Sequence, residues 1–134
     1  MSAGSLLVSL ELAVVSQERG RLAGRDRLLV LAAADAIDLG LPDVAAECRA
    51  AVLLNNPRHI VRRWDTIGEA AGSEAFETFL ATQRRMMTAE QSEHLLESLG
   101  RELPPRDQPR SEAHVAAWRL LERLAALASE SGSR

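Results

Sequence analysis

Apolar residues recur along most of this chain at the spacing of an α-helix, and Gly, Pro and small polar residues mark where each run stops. From Leu6 to about Arg21, the residues Leu6, Leu7, Leu10, Val14 and Val15 form a broad apolar face opposite Ser9, Glu11, Ser16 and Glu18. Gly20 and Gly24 then interrupt the pattern, and Asp26 suits the N-cap of the next helix. That helix, Asp26 to Leu39, is apolar around most of its circumference and leaves Asp35 and Asp38 for water. A helix of this kind belongs at the centre of a fold, with neighbours on two sides. Gly40 stands where it should end, and Pro42 suits the first turn of the following helix, Val44 to Leu54, which turns Ala45, Cys48 and Val52 inward. Asn55-Asn56-Pro57 stops it, because proline lacks a donor and disfavours helical geometry in the residue before it.

Three more helices are predicted before a break. One runs from Arg58 to Ala71 with Ile60, Val61, Trp64 and Ile67. The next, Glu74 to Met86, is capped by Ser73 and holds Phe76, Phe79 and Leu80 inside. Thr88 and Gln91 have capping-box spacing for a helix ending at Leu99-Gly100. Arg101 to Arg110 contains Pro104, Pro105 and Pro109 and predicts an extended connector. Ser111 caps a final helix from Glu112 to Ser129, with Val115, Trp118, Leu121, Leu124 and Leu127 on a broad face. Ser131 to Arg134 reads as a frayed tail, and no segment reads as a strand. The expectation is an all-α fold of six to seven helices, with antiparallel hairpins stacked as an array or a compact bundle. It divides into a helical domain (1–103), a Pro-rich connector (104–110) and a C-terminal amphipathic helix (111–134) that packs on the domain or on a second copy.

Composition sharpens this. The apolar share, 46%, is mostly Ala and Leu, with two Trp, two Phe and no Tyr, which favours helices over strands. A net charge of −3 supplies no general pull toward nucleic acid or anionic lipid. All 16 basic residues are Arg, as in the skewed codon supply of a GC-rich genome, so no Lys chemistry is possible. Cys48 is alone and cannot form an internal disulfide. Glu11 interrupts the N-terminal apolar run, no basic flank precedes it, and no run reaches the ~18–20 apolar residues of a membrane span. A cytoplasmic protein, neither exported nor inserted, is expected.

The landmarks of Asp26 to His59, 34 residues, resemble one degenerate tetratricopeptide (TPR) repeat. Ala33 takes the small crossing position of its first helix, Gly40 the turn, and Ala45 the small position of the second helix. Val52 and Leu53 form the apolar pair near the end, and Pro57 is the terminator. Leu29, Ala36 and Arg49 depart from it, standing where larger aromatic side chains are common. The resemblance covers one quarter of the chain, with no second copy of comparable quality. It implies an adaptor or scaffold that presents a helical surface to a protein partner.

Catalytic chemistry is sparse. His59, His94, His114 and Cys48 fall on four different predicted elements, and none has the i, i+3 or i, i+4 partner that converges metal ligands. Glu90 and His94 stand four apart, the spacing of a solvated ion pair. No catalytic residue, metal or cofactor is expected. Arg58, Arg62, Arg63 and Trp64, with Arg84 and Arg85 further on, combine cations with an aromatic as interface hot spots do. Alternatively Trp64 anchors the core and the arginines pair with Asp43, Asp65, Glu69 or Glu74. Met86-Met87 either finishes the core or forms a patch for a partner helix. Trp118 lies on an apolar face too wide for one neighbour, which leaves a homodimer through the C-terminal helix open. The leading expectation is a non-enzymatic adaptor for a protein partner. The alternative is a nucleic-acid-associated regulator that uses the arginines as a local basic patch.

Overall fold

The structure is a computed structural model that describes residues 3–132. Among these it has seven α-helices and no strand: α1 Ala3–Glu18, α2 Leu22–Asp38, α3 Pro42–Asn55, α4 Ile67–Ala70, α5 Glu74–Met86, α6 Ala89–Ser98 and α7 Arg110–Gly132, with a 3-10 turn at Ile60–Arg63. No helix is long and apolar enough to cross a membrane. The expected tail at Ser131–Arg134 is helical backbone as far as Gly132, and its last two residues lie outside the described ones, as do Met1 and Ser2.

Four long helices form the body. Helices α1, α2 and α3 run up and down in sequence. Helix α7 returns to lie along both α1 and α3, parallel to each, with Glu18 facing Arg123 and Asp43 facing His114. Helix α5 covers α2, α6 covers α1, and the short α4 bridges α2 and α3. One apolar core joins them all, with Leu6, Leu10 and Ala13 from α1, Leu29 and Ala32 from α2, Val44 and Cys48 from α3, Phe76 from α5, Leu96 from α6 and Ala117, Leu121 and Leu124 from α7. Helix α7 is therefore a full member of the core. Its wide face is accounted for by two intramolecular neighbours, α1 and α3.

The turn chemistry holds at Gly40, whose φ of 74° is left-handed backbone that favours glycine, and at Pro42, which sits in the first turn of α3. The Thr88–Gln91 capping box closes with bonds of 3.1 and 2.9 Å. Four expectations need correction, the first being that Ser111 caps α7, which already begins at Arg110. Ser9 does not face water: with α2, α6 and α7 all packed on it, α1 is buried nearly all round. Asp26 is no N-cap, because α2 begins at Leu22 and leaves Asp26 one turn inside. Arg58 to Ala71 is not one helix but the 3-10 turn followed by α4, whose start is capped by Thr66 Oγ1 accepting from the Glu69 amide at 3.0 Å.

Buried Asp26 belongs to a knot that ties three helices. The Arg25 guanidinium donates to Gln17 Oε1 of α1 at 2.7 Å, to Asp26 Oδ1 at 2.9 and 3.2 Å, and to the Ala51 carbonyl of α3 at 2.8 Å. Asn55 Nδ2 donates to the other Asp26 oxygen at 2.8 Å. Cys48 lies fully enclosed on α3, and burial pushes its thiol up to about 12. Since the thiolate is the nucleophile, Cys48 should resist an aromatic disulfide reagent in the native protein and react stoichiometrically once urea unfolds it. Fast labelling of the native chain would contradict this packing.

Candidate functional site

The expected arginines do not form one surface. Arg58 precedes the 3-10 turn while Arg62 and Arg63 lie within it, so Arg58 and Arg62 do not share a helical face. All three are exposed, and none is within ion-pair distance of a carboxylate among the described residues. The expected pairings are absent: Asp43 is taken by His114, and the Asp65 amide donates to Glu69 Oε2. The segment is held from beneath by rings. Trp64 is half-buried with its ring edge-to-face on the core Phe76 at 5.5 Å, and His59 meets Phe79 in the same way at 5.6 Å. Arg49 of α3 adds a bond of 2.8 Å to the Trp64 carbonyl. Trp64 is thus a core anchor that carries an exposed cationic turn. Burial lowers the His59 imidazole below its usual range, and its Nδ1 accepts from the Val61 amide at 3.2 Å.

Arg85 is exposed and bonds Thr82, whereas Arg84 turns toward a different feature described below. Trp118 is half-buried at the α3–α7 seam. Its Nε1 donates to Asp43 Oδ2 at 2.9 Å, and His114 Nε2 meets the same oxygen at 2.6 Å. That contact with His114 is the main reason the Asp43 carboxyl lies below its ordinary range. Glu90 and His94 are both exposed and form no ion pair among the described residues. No group of three His, Cys, Asp or Glu able to hold a metal occurs among the described residues.

The feature that sequence reasoning missed is a cleft of about 670 Å³ bounded by α1, α2, the α5–α6 junction and the connector. Asp35 of α2, expected toward water, lies in its wall at 5% exposure and accepts from Ser5 Oγ of α1 at 2.9 Å. Ser9 and Ser92, both buried, share the lining with Arg84, Met87 and the ion pair Arg106–Glu93. Burial pushes the Asp35 carboxyl up to about 6. Its bond from Ser5 and the charge of Arg84 pull the other way, and Asp38 adds to the rise. The connector that closes one side is strapped to α1 at Gly4, where a side chain would come within 3.0 Å of the Arg106 backbone. The signal for Asp35 was present: it falls four residues after Leu31 and seven after Leu28, on an apolar stripe and not opposite it.

No family model, curated protein or solved structure matches the chain.

Proposed function

We propose that the chain is a non-enzymatic helical adaptor, acting in the cytoplasm, that grips an acidic segment of a protein partner through Arg58, Arg62 and Arg63. In this reading Asp26–His59 is a TPR-like unit whose flanks the other helices cover. The observation that carries it is that three exposed guanidinium groups, Arg62 and Arg63 on the ring-anchored turn and Arg58 just before it, have no counter-ion among the described residues. Guanidinium forks match carboxylates in bidentate geometry, and a rigid underside lowers the entropy lost on docking. The dispersal of the histidines and the enclosure of Cys48 speak against catalysis. The nucleic-acid alternative loses support because Arg84 lines the cleft instead of extending the cationic turn. Self-association through α7 would fall to the outer strip at Val115, since the broad face is turned inward.

Replacing Arg58, Arg62 and Arg63 together by Ala should leave the melting midpoint nearly unchanged, because exposed substitutions away from packed features shift stability by only about 0.5 kcal/mol each. The partner is first captured from the native host at physiological salt and then purified. Its affinity should fall at least about tenfold with the triple variant, one hot-spot's worth of binding energy. Equal affinity for both proteins contradicts the assignment. Salt-dependent binding of a DNA or RNA duplex that the same variant abolishes would favour the alternative.

A further inference from the structure

The buried polar side chains of the fold divide into two groups. Gln17, Arg25 and Asp26 satisfy one another in the knot between α1, α2 and α3. The other three, Ser9 of α1, Asp35 of α2 and Ser92 of α6, are 6%, 5% and 4% exposed, and all three line the same cleft. Ser9 and Ser92 make no side-chain hydrogen bond within the protein among the described residues, yet neither hydroxyl is sealed off, so both open on the cleft. A carboxylate can accept about four hydrogen bonds. Asp35 takes one, from Ser5, and no cation lies within ion-pair distance of it among the described residues. Three separate helices thus aim incompletely satisfied polar groups into one preformed space, whose 670 Å³ is the size of a small-molecule site.

The chemistry of the wall selects the ligand. Of its carboxylates, Glu93 is ion-paired with Arg106 and Asp107 is exposed, whereas Asp35 is buried among hydroxyls and calls for a cation that donates in several directions. A guanidinium prefers both carboxylate oxygens at once, and Ser5 already occupies Asp35 Oδ2. A hard divalent ion takes six or more oxygen ligands, more than Asp35 and the serine hydroxyls beside it supply. A compact ammonium, with three tetrahedral donors, fits one carboxylate oxygen and neighbouring hydroxyls. We propose that this cleft binds a small molecule by a primary ammonium group, with Asp35 as its counter-ion and Ser9 and Ser92 as further acceptors. The ammonium belongs either to a plain amine or to an amino acid; in the second case Arg84 meets the ligand's carboxylate.

The test is titration calorimetry and thermal melting of the full chain at neutral pH with two sets of probes. One set is putrescine, cadaverine and spermidine; the other is glycine, γ-aminobutyrate and lysine. At least one probe should bind and raise the wild-type midpoint by a few degrees. Binding should weaken roughly a hundredfold in Asp35→Asn, which keeps an acceptor for Ser5 but carries no charge. Ser9→Ala, which removes no charge, should weaken it several-fold and leave the unliganded midpoint in place. Preference for the second set, lost in Arg84→Gln, assigns the ligand as an amino acid. The proposal is overturned if no probe shifts the wild type, or if Asp35→Asn binds as well as wild type. Neither result bears on the Arg58–Arg63 surface, which is tested separately.

Discussion

Replacing Asp35 with Asn should make the unliganded protein more stable at neutral pH, by about 2 kcal/mol. The folded carboxyl holds its proton up to about pH 6, whereas in the unfolded chain it lets go near 3.8. Between those values the native state binds a proton that the unfolded state has lost, so stability falls as pH rises through that window and stays level above it. A gap of two pKa units corresponds to about 3 kcal/mol at 1.36 kcal/mol per unit. The new amide needs a partner of its own and should return about 1 kcal/mol of that gain. Urea unfolding of both proteins across the acid range checks the claim. The two curves should cross at about pH 4 to 5, diverge up to about pH 6 and run parallel above it. Because both proteins keep Asp43, whose lowered carboxyl works in the opposite direction, their difference isolates Asp35. A carboxylate kept at such a cost beside a cleft is in keeping with the ammonium site proposed above.

The second large effect belongs to Arg25. Arg25→Ala should cost about 3–5 kcal/mol, because it strands the buried Asp26 carboxylate and leaves Gln17 and the Ala51 carbonyl without their donor. The double variant Arg25→Met/Asp26→Asn should be distinctly less damaged than Arg25→Met alone, since no uncompensated charge remains. Denaturant midpoints of the three variants measure both statements. If Arg25→Ala unfolds like wild type, the three helices are not tied where the structure ties them.

Much of this architecture is legible in the letters, for reasons that are local. Gly40, Pro42, Pro57 and the Thr88–Gln91 pair act within a turn or two of themselves, so the α2–α3 hairpin and the start of α6 follow from neighbours in sequence. The errors come from partners far away in sequence. Ser9 looks polar-facing until α6 and α7, from the last third of the chain, close over α1. Asp26 makes a good cap on paper, but Asn55 of α3 claims one of its oxygens, and the Arg25 that claims the other is itself held by Gln17 of α1 and Ala51 of α3. The break after Pro57 was partly readable. Thr66 and Glu69 have capping-box spacing, whereas the ring contacts that tie Trp64 and His59 to α5 join residues that are separate in sequence. Arg58, Arg62 and Arg63 were found as a charged cluster. What the sequence lacked was the fate of the surrounding acids, which decides whether those charges are spent inside the molecule. Asp35 was hidden by its type, since an aspartate amid alanines and leucines is ordinarily assigned to solvent.

The Asp35 carboxyl lies buried against the cleft with no cation within ion-pair distance among the described residues. NMR titration of its side-chain carboxyl carbon, assigned by comparison with Asp35→Asn, tests this directly. A midpoint near 6 in the unliganded protein is the predicted result. A midpoint at the ordinary aspartate value of about 4 would mean a solvated or ion-paired carboxylate, and would remove both the stability difference and the ammonium site.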